Sequence, residues 1–203
     1  MGHSPSSDAS LTPDQADLLL DIAEVSIRAC LGGTHHPGPD VSLLPERLRE
    51  PCGAFVTLHV DGRLNGCIGN IHSDEPIGAC ISKLAIEAAF EDPRLPRLRP
   101  EDLDGLHIEV SLLSPLTVVP ATSRAELIEH LIPHETGLII SSDDRRAVFL
   151  PSVWGQLPVP DDFIDRLLRK AGLPTDRWPS DMHAEVFTTE SFGRPARSAT
   201  GGR

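Results

Sequence analysis

The chain has 203 residues, 39% of them apolar and 24% charged, and 18 Lys and Arg against 30 Asp and Glu leave a formal charge of −12. An acidic surface repels phosphate backbones, which disfavours a general nucleic-acid binder and leaves only a local basic patch for that role. No apolar run approaches the roughly 20 residues of a bilayer span and no signal-peptide pattern opens the chain, so the sequence reads as cytoplasmic, with no membrane partner. Cys30, Cys52, Cys67 and Cys80 lack CxxC spacing and read as reduced thiols rather than a disulfide framework. The 19 prolines and 16 glycines imply many short elements joined by ordered loops.

Residues 1–11 are polar and Ser-rich and are expected to be disordered. Thr12-Pro13-Asp14-Gln15 is a compact helix start, with Thr12 as N-cap and Gln15 at the reciprocal position of a capping box. Leu18, Leu19, Ile22, Val25 and Ile27 follow at helical spacing, and Gly32-Gly33 stops the run. A loop with His35-His36-Pro37 comes next, then a helical turn within 43–49.

Two apolar runs flank Asp61-Gly62, a strong hairpin signal because a type I′ turn needs positive φ at both central residues. In a regular register Val60 faces Arg63, Thr57 faces Gly66 and Val56 faces Cys67. Arg63, Asn65 and Cys67 then share one face, and His59 lies on the other. Gly66 and Gly69 bracket the Cys67 thiol with backbone that admits close approach. The residues alone leave two readings open, a bulged strand end with a buried cysteine or a site.

Ser73-Asp74-Glu75-Pro76 reads as the cap of a helix carrying Ile77, Cys80, Ile81, Leu84, Ala85 and Ala88, ended by Asp92-Pro93. The loop 94–100 holds Arg94, Arg97 and Arg99, the one concentration of positive charge. Leu106–Leu113 alternates as a strand with His107, Glu109 and Ser111 on its polar face. Ser123 and Glu126 form a capping box for a short helix, and a second hairpin turns at Asp143-Asp144. Residues 161–171 are an amphipathic helix closed by Gly172, and 183–188 read as a last strand. The fold class is α/β or α+β, a mixed and largely antiparallel sheet flanked by helices. A single domain spans 12–192, and 193–203 read as a disordered tail.

Leu64-Asn65-Gly66-Cys67-Ile68-Gly69 resembles the LRGCIG signature of the AMMECR domain family, whose prokaryotic members are called AmmeMemoRadiSam system protein A. Ala88-Ala89-Phe90-Glu91-Asp92-Pro93-Arg94-Leu95-Pro96, Glu109-Val110-Ser111-Leu112-Leu113-Ser114-Pro115, and Lys170-Ala171-Gly172-Leu173-Pro174 with Trp178 match in the same order. The chain departs from the family at Asn65, where Arg is usual, and in having no Tyr. The resemblance implies a larger and a smaller subdomain and no settled activity. It also implies a pathway shared with a Memo-like protein and a radical S-adenosylmethionine protein.

Cys67 is the residue whose setting invites chemistry, because a thiol beside positive charge or a helix N-terminus becomes a nucleophile. The loop 70–73 is expected to carry the chain from Cys67 toward such a helix start. His107 and Glu109 are the candidates for base and orienter. Asn65, Gly66, Gly69, Glu87, Asp92 and Arg94 are the candidate binding residues of a groove for a small-molecule or peptide substrate. Asp92 and Arg94 also read as a structural pair holding the helix stop. No metal site is expected, since Pro133 breaks the helix that would align His130 with His134. No cofactor is predicted. The alternative function is a non-catalytic interaction module docking through the 94–100 loop and the groove, with a nucleic-acid regulator last.

Overall fold

Thr12 opens the first helix as its sequence dictates: its hydroxyl accepts from the Gln15 amide while the Gln15 side chain accepts from the Thr12 amide. That helix, α1 (Pro13–Leu31), ends at Gly32. The computed structural model describes residues 10–34 and 37–197. The expectations for 1–9, for His35-His36 and for 198–203 lie outside the described residues.

The described chain divides into two compact units. Unit 1 comprises residues up to Leu112 together with the segment from Glu190 onward, and unit 2 is Leu113–Thr189.

Unit 1 carries an antiparallel sheet in the order β2-β1-β3-β8, built from β1 (Ala54–Val60), β2 (Arg63–Asn70), β3 (Leu106–Leu113) and β8 (Thr189–Pro195). Alternation decides its two faces. Ala54, Val56, Leu58, Ile108 and Val110 are buried with α1 and α3 (Ile77–Phe90), in one core with Leu19, Ile27, Ile81 and Leu84. The opposite face carries Phe55, Thr57 and His59 from β1 and His107, Glu109 and Ser111 from β3. A buried hydroxyl pair joins the two helices: Ser82 Oγ lies 2.8 Å from Ser26 Oγ, which itself donates to the Ile22 carbonyl.

The expected helix cap at Ser73 is corrected. Pro76 is the N-cap of α3 and no side chain caps it, while the Ser73 hydroxyl accepts from the nearby Glu75 amide. The helical turn expected within 43–49 is α2 (Glu46–Arg49), preceded by a short 3₁₀ turn.

Unit 2 has a second sheet in the order β4-β7-β5-β6: β4 (Thr117–Val119), β5 (Gly137–Ser142), β6 (Arg145–Phe149) and β7 (His183–Phe187). Helices α4 (Arg124–Ile128) and α5 (Pro160–Ala171) accompany it, and Gly172 closes α5 in the left-handed conformation at φ 71°. Trp154 stacks on Phe163 with ring centroids 3.9 Å apart at the centre of this core. The capping box expected at α4 is half present. Ser123 accepts from the Glu126 amide, but the Glu126 carboxylate turns to the amide and hydroxyl of Thr122. The short strand β4 carries too few residues to show periodicity. The strand β8 was not anticipated, and it continues through Gly193 to Pro195, inside the segment expected to be disordered.

Candidate functional site

The β1–β2 hairpin turns at Asp61 and Gly62 with φ of 49° and 75°, the positive pair its sequence asks for. Val60 faces Arg63 as expected, and His59 faces Leu64, but the register then slips by one residue. Leu58 faces Gly66, Thr57 faces Cys67 and Val56 faces Ile68, so Asn65 is the extra residue of a β-bulge. This corrects the regular pairing of Thr57 with Gly66 and Val56 with Cys67. The cause lies at Gly66. A Cβ there would stand 1.9 Å from the Ala88 carbonyl oxygen, so β2 approaches α3 at a distance only glycine permits.

The bulge changes which side chains meet. Cys67, Thr57 and Glu109 now form one row across three strands, and His59 and His107 form the next row on the same face. The Thr57 hydroxyl donates to Cys67 Sγ at 3.3 Å. The His59 and His107 rings meet edge to face, with centroids 6.5 Å apart. Cys67 is half-buried, neither sealed in the core nor freely exposed. His59, set aside by the regular register, stands diagonal to Cys67 at about 7–8 Å between backbones. His107 and Glu109 lie beyond β1, roughly two strand spacings or about 10 Å from β2. The signal for His59 was in the sequence, since a glycine inside a strand often marks a bulge.

The backbone of Cys67 is clamped from the other side. Its amide donates to Asp92 Oδ2 at 3.0 Å, and Arg94 Nη2 donates to its carbonyl at 2.9 Å. Arg94 also grips Asp92 through Nε at 2.9 Å and Nη2 at 2.7 Å, and the Arg94 amide adds a bond to Oδ1. The Asp92 side chain is 2% exposed against 65% for Arg94. The Arg94 guanidinium, assisted by the Cys67 and Arg94 amides, holds the Asp92 carboxyl well below the usual carboxylate range against the opposing pull of burial. Asp92 and Arg94 thus supply to Cys67 the acceptor and donor that a further strand would supply, and they cover the outer edge of β2 there.

The remaining candidates separate. Asn65 is buried, donates to the Pro96 carbonyl at 3.4 Å and lines a cleft of about 460 Å³ with Arg63, Leu64 and Pro96. Glu87 lines a different cleft, with Lys83, Glu91 and the 37–41 loop. Gly69 lies under the Phe55 ring. The chain leads from β2 at Asn70 to the start of α3 at Ile77, while the motif itself meets the last turn of α3, at Ala88, and the loop after it. Within the basic loop, Arg94 is engaged by Asp92 and Arg99 by Glu101 and Asp102. Cys30, Cys67 and Cys80 are free thiols, and among the described residues no group of three or more His, Cys, Asp or Glu is arranged to hold a metal ion. No helix among the described residues is long and apolar enough to cross a membrane.

Fold and site together define a two-unit α+β protein built around a clamped, glycine-flanked thiol on a polar sheet face. Residues 20–192 match the AMMECR1 family, and the chain belongs to that family. It is 36% identical over 172 residues to a protein of Methanothermobacter thermautotrophicus, covering 83% of this chain and 88% of that one. A Thermotoga maritima protein is 37% identical over 160 residues, covering 76% and 84%. The crystal structure of uncharacterized protein PH0010 from Pyrococcus horikoshii superposes with a TM-score of 0.82 at 29% identity, covering 92% of this chain and 94% of that one.

Proposed function

We propose that this chain is a substrate-handling enzyme of a pathway shared with a Memo-like protein and a radical S-adenosylmethionine protein, with Cys67 as its reacting group. One observation carries the reading: the bulge at Asn65 turns the Cys67 thiol onto the sheet face that also holds Thr57, His59, His107 and Glu109. The Thr57 hydroxyl holds the sulfur on that face, and an imidazole on the neighbouring strand is a base for the thiol proton. The Asp92–Arg94 clamp fixes the backbone from which the sulfur projects, which is what preorganisation of a nucleophile requires. An adaptor docking through the basic loop is less well supported, because two of its three arginines are already paired with carboxylates.

The test is a reconstituted mixture of the three proteins. Cys67→Ala removes product formation while stability changes by less than about 1 kcal/mol, since the side chain is half-buried and makes one weak hydrogen bond. Undiminished product formation by Cys67→Ala would overturn the proposal.

A further inference from the structure

Ala79, Ser82, Lys83, Ile86 and Glu87 recur at helical spacing along one side of α3 and face the 37–41 loop across a cleft of about 420 Å³ within unit 1. A hydroxyl has one proton to give. Ser26 gives its proton to the Ile22 carbonyl at 2.7 Å, so the 2.8 Å contact between Ser26 Oγ and Ser82 Oγ takes its proton from Ser82. Ser82 is 4% exposed, and its oxygen is left as an acceptor that no donor meets among the described residues. That oxygen looks into the cleft. A Cβ on Gly38, in the opposite wall, would stand 3.8 Å from it, and Gly38 sits at φ 82°, a conformation that keeps side chains away from that spot. Two carboxylates line the same cleft: Glu87 is half-buried, and Glu91 is the C-cap of α3, where the helix dipole favours cations. Neither is ion-paired among the described residues, although Lys83 stands four residues before Glu87. Pro39, Val41 and Ile86 add apolar wall.

We infer that this cleft binds a small aliphatic amine with a neutral O–H or N–H donor at the far end of its stem. The ammonium group meets Glu87 and Glu91, the stem lies along Ile86, Val41 and Pro39, and the distal donor meets Ser82 Oγ. An ammonium has three protons and accepts nothing, which complements carboxylates that only accept. An anion would face two carboxylates and an oxygen without a proton to offer. Lys83, next to Ser82, disfavours a second cation at that end, so the distal donor is neutral. Ser82 and Glu87 are separated by about 7.5 Å along the helix axis, the reach of a stem of about five carbons. The cleft has the size of a small-molecule site, and a chain at −12 draws cations toward it. Cys67 does not line this cleft, so a negative result here leaves the role proposed for the thiol in place.

Three probes of one stem length separate the contributions: 5-aminopentan-1-ol has both groups, pentylamine lacks the distal hydroxyl, and pentane-1,5-diol lacks the charge. Each is titrated at neutral pH into the isotope-labelled full chain while amide cross-peaks are followed. The amino alcohol is expected to shift the Ser82, Lys83 and Glu87 amides saturably, with a Kd on the order of 1 mM. Pentylamine and the diol should each bind on the order of fivefold more weakly. Glu87→Gln should weaken the amino alcohol by a similar factor and leave the diol unchanged, and Ser82→Ala should remove the advantage of the amino alcohol over pentylamine. The three-probe comparison in the unaltered chain decides the matter even if Ser82→Ala does not fold. No saturable shift at these amides, or a diol that binds as well as the amino alcohol, overturns the site. An amino alcohol no tighter than pentylamine reduces the effect to diffuse attraction by an acidic surface and overturns it as well.

Discussion

At the scale of single residues, the Asp92–Arg94 pair is asymmetric, and the asymmetry makes a prediction. Asp92 is covered by its neighbours while Arg94 is largely in solvent. Removing Arg94 therefore leaves a covered carboxylate without its counter-charge, whereas removing the Asp92 charge leaves an arginine that water can solvate. Arg94→Ala is expected to cost about 1–3 kcal/mol at neutral pH, below the range for deeply buried pairs because the site lies near the molecular surface. Asp92→Asn, which keeps an acceptor for the Cys67 amide, is expected to cost less. The pH dependence follows from the lowered Asp92 pKa. Its folded value lies below the ordinary 3.8, so the pair's contribution is complete above about pH 4 and fades as pH falls further. The Arg94→Ala deficit should accordingly shrink under acid, as Asp92 protonates in the unfolded chain and in the folded variant while the unaltered folded chain still holds it ionised. Urea unfolding at pH 7 and pH 3 measures this, and a deficit that stays constant or grows on acidification would sink the account. This pair was legible as a structural one from the Asp92-Pro93-Arg94 spacing. Its grip on Cys67 was not, because nothing in sequence relates a loop carboxylate to a strand amide 25 residues earlier.

At the scale of elements, regular strands and capped helices were readable and irregular ones were not. The strand Leu106–Leu113 and the α1 cap follow from period and capping chemistry alone. The bulge at Asn65 depends on how near Ala88 stands to Gly66, which is a tertiary fact. Strand β8 was hidden for a similar reason: its sequence, Thr-Glu-Ser-Phe-Gly-Arg-Pro, has no alternation, and it is fastened by charge. Glu24 of α1, 5% exposed, accepts from Arg28 Nε, Arg194 Nη1 and the Arg197 amide at 2.8 to 2.9 Å. Asp21 adds ion pairs to Arg194 and Arg197. Burial pushes the Glu24 carboxyl up, but the hydrogen bonds from Arg194, Arg28 and Arg197 outweigh it and leave the pKa lowered. The contribution is therefore present above the ordinary 4.5 and lost as pH falls below it. Glu24→Gln is expected to cost about 1–3 kcal/mol at pH 7 and to speed amide hydrogen exchange in β8 before it does so in the buried middle of α1. If β8 amides exchange at the unaltered rate in that variant, the network does not hold the strand.

At the scale of the whole chain, the α+β class and the presence of two subdomains were within reach of the sequence, through periodicity for the first and family likeness for the second. The route of the chain was not, because unit 2 is one continuous segment, Leu113–Thr189, leaving unit 1 after β3 and returning to it at β8. Local pattern cannot show that two distant strands are neighbours. The ends of the inserted segment are tied to each other: the Ser114 amide donates to the Thr188 carbonyl at 2.9 Å and the Thr188 amide to the Ser114 hydroxyl at 3.0 Å. Its core is its own, with Trp154, Phe163, Leu127, Leu138 and Leu167 all buried together. A segment with closed ends and a separate core meets the conditions for folding alone, at a stability of only about 2–4 kcal/mol for a unit so small. The chain has two tryptophans, Trp154 and Trp178, both in unit 2, and no tyrosine, so intrinsic fluorescence reports on that unit alone. The excised segment Leu113–Thr189 is therefore expected to melt cooperatively with the buried-tryptophan emission of the full chain. Phe163→Ala, which removes the ring stacked on Trp154 and costs about 3–5 kcal/mol, should unfold it outright. Emission at solvent-exposed wavelengths from the unaltered segment, or a melt without a transition, would mean that unit 2 owes its folding to unit 1.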